Sequence, residues 1–289
     1  MNMNKKTCII VSGPTSVGKT NYGIELALKY NSSIISADSR QCFKELNIGV
    51  AKPSKEQLEK VPHYFINSHS IHDEVDVKVF EEYALKTAGK LFENNDTVIM
   101  VGGTGLYIKA FSEGLDEIPE VNNNVRDEII EQYKIKGFGW LQDEIRKEDP
   151  DFFSKGEMQN PQRMLRALEV KLSTGKSILD FHSGKKEKRD FEIKNILLEL
   201  PRQQLYDNIN HRVDKMMEDG LLNEAEGLFP FRHLNALQTV GYKELFDYFE
   251  GKISLEKAVD DIKKNTRHYA KRQMTWFRKY QVSGKGYEL

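Results

Sequence analysis

The 289-residue chain has almost no cysteine, Cys8 and Cys42 being the only two. Two thiols without paired or metal-ligand spacing exclude a disulfide scaffold and a cysteine-built metal centre, and they set a reducing, cytoplasmic location as the expectation. Long apolar runs are missing too. The N-terminal stretch MNMNKKTCIIVSG carries two lysines, but its apolar part is too short for a signal peptide or a membrane span, so no membrane partner is expected. Neither sign of charge is in excess: 43 Lys plus Arg stand against 44 Asp plus Glu, so net charge alone points to no polyanion. The seven histidines show no metal-ligand spacing, and Trp140 and Trp276 read as packing residues. Internal repeats and low-complexity tracts are absent. What remains, 39% hydrophobic and 30% charged residues, is the balance of an ordinary globular chain.

The charge is unevenly placed. From Lys263 onward the basic residues are Lys263, Lys264, Arg267, Lys271, Arg272, Arg278, Lys279 and Lys285, against a single acid, Glu288. A basic C-terminal arm suits a polyanion. A solvated helix face would look the same, and charge alone does not choose. The arm carries apolar residues at Leu255, Ala258, Val259, Ile262, Tyr269, Ala270, Gln273-Met274 and Phe277. This near-3.6 spacing predicts one long amphipathic helix with Ser254 as its N-cap.

Upstream, Thr7–Ser12 (TCIIVS) is a short β-branched run bounded by glycine, as in a buried parallel strand, and Cys8 within it reads as a small buried residue. A helix over Thr20–Tyr30 follows, with Asn31 able to end it in a left-handed turn. Further strands are expected at Ser33–Ala37, Thr97–Val101 and Asn195–Leu200, with a helix over Phe80–Phe92. Strands alternating with helices predict a parallel sheet covered on both faces. From about Pro119 to Arg189 strand signals vanish and the pattern is polar and helical. The expectation is an α/β core built from residues 1–118 and 190–289, interrupted by an all-helical insertion over 119–189.

Gly13, Pro14, Thr15, Ser16, Val17, Gly18, Lys19 and Thr20 match G-x-x-x-x-G-K-[ST] in full, between a strand and a helix. The glycines let backbone amides turn inward, and the helix N-terminus adds positive potential. Lys19 can bring an ammonium to phosphate oxygens, and the Thr20 hydroxyl can hold magnesium. This is the cradle of P-loop NTPase-like folds, and it names a phosphate ligand without naming a reaction. Asp38-Ser39-Arg40-Gln41 begins where the second strand ends. Asp38 there could take a proton or bind metal, and Ser39, Arg40 and Gln41 offer donors for a base edge or phosphate; a capping Asp before a polar loop would read the same. Gly102-Gly103-Thr104-Gly105 follows the third strand, either as a close backbone approach to a ligand or as a tight turn with Thr104 as N-cap.

Together these blocks resemble the bacterial tRNA dimethylallyltransferases. GPTSVGKT, DSRQ, IGVAKP (Ile48–Pro53), GGTGLY, NPQRMLRALEV (Asn160–Val170), ALQTVGYKEL (Ala236–Leu245) and NTRHYAKRQMTWFRK (Asn265–Lys279) stand in that family's order across nearly the whole chain. The resemblance implies that Gly13–Thr20 holds the pyrophosphate of dimethylallyl pyrophosphate with magnesium. It implies that Asp38 acts as base for the exocyclic amine of an adenine next to the anticodon, with Thr104 beside the reacting atoms and Arg212 on the leaving pyrophosphate. Asp38, Ser39, Arg40, Gln41, Arg126, Gln162, Arg163, Met164, Leu165 and Arg166 would touch the tRNA anticodon stem-loop. A monomer is implied, with a channel that the donor and the RNA enter from opposite ends. Three departures stand out: Cys42-Phe43 replaces the family's Val-Tyr, Val50 a threonine, and Tyr64 a second histidine after Pro62-His63. The alternatives are a small-molecule kinase or ATPase, prenylation of free adenine nucleotides, and an RNA-binding module without catalysis.

Overall fold

The computed structural model describes residues 6–280 and 287–288; Lys285 of the basic arm lies outside the described residues. The chain divides into two compact units, Met1–Gly114 with Lys188–Leu289, and Leu115–Glu187.

In the first unit, β1 (Thr7–Ser12) leads into α1 (Lys19–Lys29), which stops at Asn31 in the expected left-handed conformation, φ 46°. Next come β2 (Ile34–Ala37), α2 (Lys55–Lys60), β3 (His63–Tyr64), α3 (Val77–Asn94), β4 (Thr97–Gly102) and α4 (Gly105–Glu113). The second unit is wholly helical: α5 (Asn123–Glu148, interrupted at Gly137), α6 (Pro150–Lys155) and α7 (Pro161–Thr174). The first unit then resumes with β5 (Glu192–Glu199), α8 (Arg202–Glu218), α9 (Leu221–Leu228), α10 (Tyr242–Phe249), α11 (Leu255–Tyr280) and β6 (Tyr287–Glu288).

The strands form one sheet in the order β3-β2-β4-β1-β5-β6, and every pairing is parallel. The alternating side chains of β1 explain why it must be central. Cys8 and Ile10 join a core with Phe80, Ala84, Tyr107 and Phe111, whereas Ile9 packs with Ile24 and Ala27, and Val11 with Val17, Ile209 and Ala270. Both faces are therefore dry. Each large apolar side chain so buried contributes roughly 1.5–3 kcal/mol.

Register sets up the functional edge. Ser12 and Ala37 both stand opposite Gly102, so the segments leaving β1, β2 and β4 emerge side by side at the carboxyl end of the sheet. Gly102 makes this possible, because a Cβ on it would lie 2.2 Å from the Ala37 carbonyl oxygen.

Several expectations need adjusting. β5 begins at Glu192, not Asn195, because its polar first residues pair with β1 from Thr7 onward. The two-residue strands β3 and β6 were too short to stand out. Arg189, read as the end of the insertion, belongs to the α/β unit. Its guanidinium donates to the Ala110 and Phe111 carbonyls at the end of α4, both at 2.8 Å, and pairs with Glu81 at 2.7 Å. The long C-terminal helix forms as predicted, and Ser254 stands at its start, where its hydroxyl accepts from the Lys257 amide at 3.2 Å.

Candidate active site

The glycine-rich turn is built by backbone strain that its residues tolerate. Gly13 sits at φ 147°, and a Cβ there would meet the Leu198 carbonyl oxygen at 2.6 Å. Thr15 to Thr20 line a cavity of about 840 Å³, while Gly13 and Pro14 shape the turn without lining it. Lys19 opens α1 and donates to the Pro14 carbonyl at 2.7 Å. Burial brings its pKa down to about 7 from an ordinary 10.5; the Asp38 carboxylate opposes that fall and the Arg212 guanidinium adds to it.

Arg212, from the middle of α8, donates to the Thr15 hydroxyl at 3.0 Å and reaches the Ser16 hydroxyl at 3.5 Å. Burial weighs against its charge and Asp38 supports it. Thus two cations flank the turn, with one carboxylate near both.

Asp38 leaves β2 and caps its own loop: Oδ1 accepts from the Arg40 amide at 2.9 Å and the Gln41 amide at 3.2 Å. The capping role and the functional role read from sequence are therefore compatible, since Asp38 also lines the cavity. Ser39, Arg40 and Gln41 line it as well, and the Gln41 side chain is held in place there. Its amide nitrogen donates to the Val50 and Ala51 carbonyls at 3.2 and 3.1 Å, and its oxygen accepts from Ser36 at 3.3 Å. Thr104 occupies the N-cap position of α4 without making a capping bond, beside the cavity-lining Gly103. Its hydroxyl accepts from the Ser39 amide at 3.1 Å and bonds the Tyr269 side chain. Tyr269 does line the cavity, and its hydroxyl is pushed up in pKa by burial and then by Asp38.

Two residues of α11 escaped the sequence reading because both were counted in its apolar stripe. One is Tyr269. The other is Gln273, which is 7% exposed; its oxygen accepts from the Thr15 amide at 2.9 Å and its nitrogen donates to the Gly103 carbonyl at 2.9 Å. It staples the loop after β1 to the loop after β4. A glutamine on a buried helical face was the available signal.

Among the described residues no group of three or more His, Cys, Asp or Glu could hold a metal by itself. Thr20 and Asp38 nonetheless place two hard oxygen donors on the cavity wall. That suits magnesium, which binds through one or two protein oxygens and completes its shell with waters and phosphate oxygens.

Residues 41–280 match the family model for IPP transferase. The chain belongs to the IPP transferase family. It is 46% identical to the tRNA dimethylallyltransferase of Christiangramia forsetii over 94% of this chain and 90% of that one. The tRNA dimethylallyltransferase of Flavobacterium psychrophilum is 47% identical over the same shares. Among solved structures, the tRNA isopentenylpyrophosphate transferase of Bacillus halodurans superposes with a TM-score of 0.71 at 34% identity, covering 98% of this chain and 90% of that one. A eukaryotic dimethylallyltransferase acting on tRNA gives a TM-score of 0.81 at 26% identity, covering 98% and 73%.

In this IPP transferase the sequence departures are packing changes. Phe43 is buried and bridges to His69, and Val50 still supplies the carbonyl that holds Gln41. The remaining RNA candidates lie in the helical unit. Arg126 on α5 and Arg166 on α7 flank the buried Glu169 at 3.7 and 3.4 Å, Gln162 stands in the first turn of α7, and Arg163 pairs with Glu157. Met164 and Leu165 are excluded as side-chain contacts to RNA, because both are buried in that unit's core.

Proposed function

We propose that this chain transfers a dimethylallyl group from dimethylallyl pyrophosphate to N6 of the adenine next to the anticodon of tRNA, releasing pyrophosphate. Family membership supports the activity, and one observation carries the assignment of the site. Lys19, Arg212 and Asp38, from three different elements, face a single cavity large enough for two substrates.

In this reading the turn Thr15–Thr20, Lys19 and Arg212 bind the pyrophosphate. N6 attacks the first prenyl carbon, forming the C–N bond as the carbon–oxygen bond to pyrophosphate breaks, and Asp38 takes the proton that N6 loses. Negative charge developing on the leaving group meets fixed donors. Magnesium, held through Thr20 and the pyrophosphate oxygens, supplies further charge neutralisation when bound. Burial holds the Lys19 pKa down to about 7, so a bound pyrophosphate favours the charged form of this ammonium. Thr104 stands beside the reacting atoms, and its hydroxyl also holds Tyr269 and Ser39 at the cavity wall. Holding both reactants in line removes much of the entropic barrier, about 7–11 kcal/mol in well-oriented systems.

The helical unit, through Arg126, Gln162, Arg163 and Arg166, and the basic face of α11 take the tRNA backbone. Among the described residues no helix is long and apolar enough to cross a membrane, and both cysteines are free thiols. We read the working enzyme as a cytoplasmic monomer.

The test uses labelled dimethylallyl pyrophosphate, magnesium and an anticodon stem-loop with consecutive adenines. Label should appear in the RNA with one pyrophosphate released per transfer. ADP formed from ATP, with no label reaching RNA, would instead establish a kinase or ATPase.

A further inference from the structure

Three consecutive backbone amides converge on one carboxylate outside the reacting groups. Glu224, on α9, accepts from the Asn47 and Ile48 amides through Oε2 at 3.2 and 2.9 Å, and from the Gly49 amide through Oε1 at 3.0 Å. Oε1 also accepts from the Tyr242 hydroxyl at 2.6 Å. Tyr242 is wholly buried, and Gly49 packs so tightly on its ring that a Cβ would lie 2.6 Å from Cζ. The turn is thus pinned from two sides, by charge-assisted bonds and by steric contact.

What the turn holds gives this its meaning. The two residues after Gly49, Val50 and Ala51, supply the carbonyls that accept both of Gln41's amide hydrogens, and Ala51 takes φ 46° to do so. Gln41 in turn donates its backbone amide to Asp38 Oδ1. An unbroken run of bonds therefore leads from Tyr242 through Glu224, the 47–51 turn and Gln41 to Asp38. Without the carboxylate, three adjacent amides in a part-buried turn would have to find other acceptors, and the two carbonyls that orient Gln41 would lose their fixed spacing.

We propose that Glu224, itself oriented by Tyr242, is a positioning residue that sets the placement of the Asp38 carboxylate through the 47–51 turn and Gln41. This rests on the reading of Asp38 as the base, and the experiment separates the two. Single-turnover transfer to an anticodon stem-loop is measured for Glu224→Gln and Tyr242→Phe, each in the native background and with Asp38→Asn. Melting temperatures and donor KM are recorded alongside. Asp38→Asn should slow transfer about 10²–10⁴-fold. Glu224→Gln should cost on the order of 10²-fold in rate, since small misplacements at the reacting centre have that effect, with donor KM changed by less than about threefold. Tyr242→Phe should cost less, in the same direction.

In the Asp38→Asn background both substitutions should add almost nothing, because what they position is already gone. An equal fold-loss in both backgrounds overturns the proposal, and so does a loss confined to donor KM. Should Glu224→Gln fail to fold, Tyr242→Phe, which keeps the buried ring, runs the same cycle alone. Full activity in Asp38→Asn would instead sink the assignment of the base, and with it the target of the positioning. Wild-type protein that never labels RNA would sink the function itself.

Discussion

At the scale of single residues, the site is a balance of charges that only burial makes consequential. Lys19, Arg212 and Tyr269 all feel the carboxylate of Asp38, and all are also shifted by loss of water. For Lys19 the sign can be followed through. Its folded pKa, about 7, lies below its ordinary 10.5, so burying the charged form costs stability in full below pH 7. That cost is relieved as pH rises from 7 towards 10.5, where the unfolded chain holds more protons. Pyrophosphate binding runs the opposite way, because the anion favours the charged form. Donor affinity should be greatest below pH 7 and fall by up to about tenfold per pH unit above it. Calorimetry at pH 8 in buffers of different ionisation enthalpy should show uptake of close to one proton. A pH-independent affinity with no proton uptake would mean that Lys19 does not meet the pyrophosphate. The P-loop lysine was plain from spacing alone, whereas its depressed pKa was not, because desolvation depends on what packs around it.

At the scale of elements, α11 does more than cover the sheet. Its periodicity predicted the helix and its N-cap, but the apolar stripe concealed Gln273, whose two hydrogen bonds join the loops after β1 and β4. Gln273→Ala would strip the Thr15 amide and the Gly103 carbonyl of their partner at once. We expect a loss of about 1–3 kcal/mol in unfolding free energy, read from chemical denaturation. Donor binding should weaken too, while stem-loop binding stays within about twofold. Unchanged stability would show that these loops hold themselves in place.

At the scale of the whole molecule, a formal net charge of −1 leaves no global field to draw in RNA. Affinity for the stem-loop must come from local basic groups. In α11, Lys263 is already engaged with Asp214 and Arg278 with Glu199, while Arg126 and Arg166 share the buried Glu169. One carboxylate shared by two guanidinium groups leaves that cluster net positive. If about three phosphates are contacted, raising salt from about 50 to 200 mM should weaken stem-loop binding roughly 20–40-fold. Arg166→Ala should lower the slope of that dependence and raise the KM for stem-loop without changing the donor KM. A salt slope near zero in the unaltered protein would remove the phosphate contacts from the account.

By itself the sequence determined the α/β class, the phosphate cradle, the position of Asp38 at a strand end and the long basic helix. Each of these is encoded locally, by a run of β-branched residues, a glycine spacing or a helical period. The tertiary structure alone decided that Thr104 holds the Ser39 amide, that Gln41 serves as a strut, that Met164 and Leu165 are core, and that Glu224 clamps a turn 175 residues away at Gly49. Those roles depend on which partner a polar or apolar group finds after folding, and partners so distant in sequence leave no local pattern.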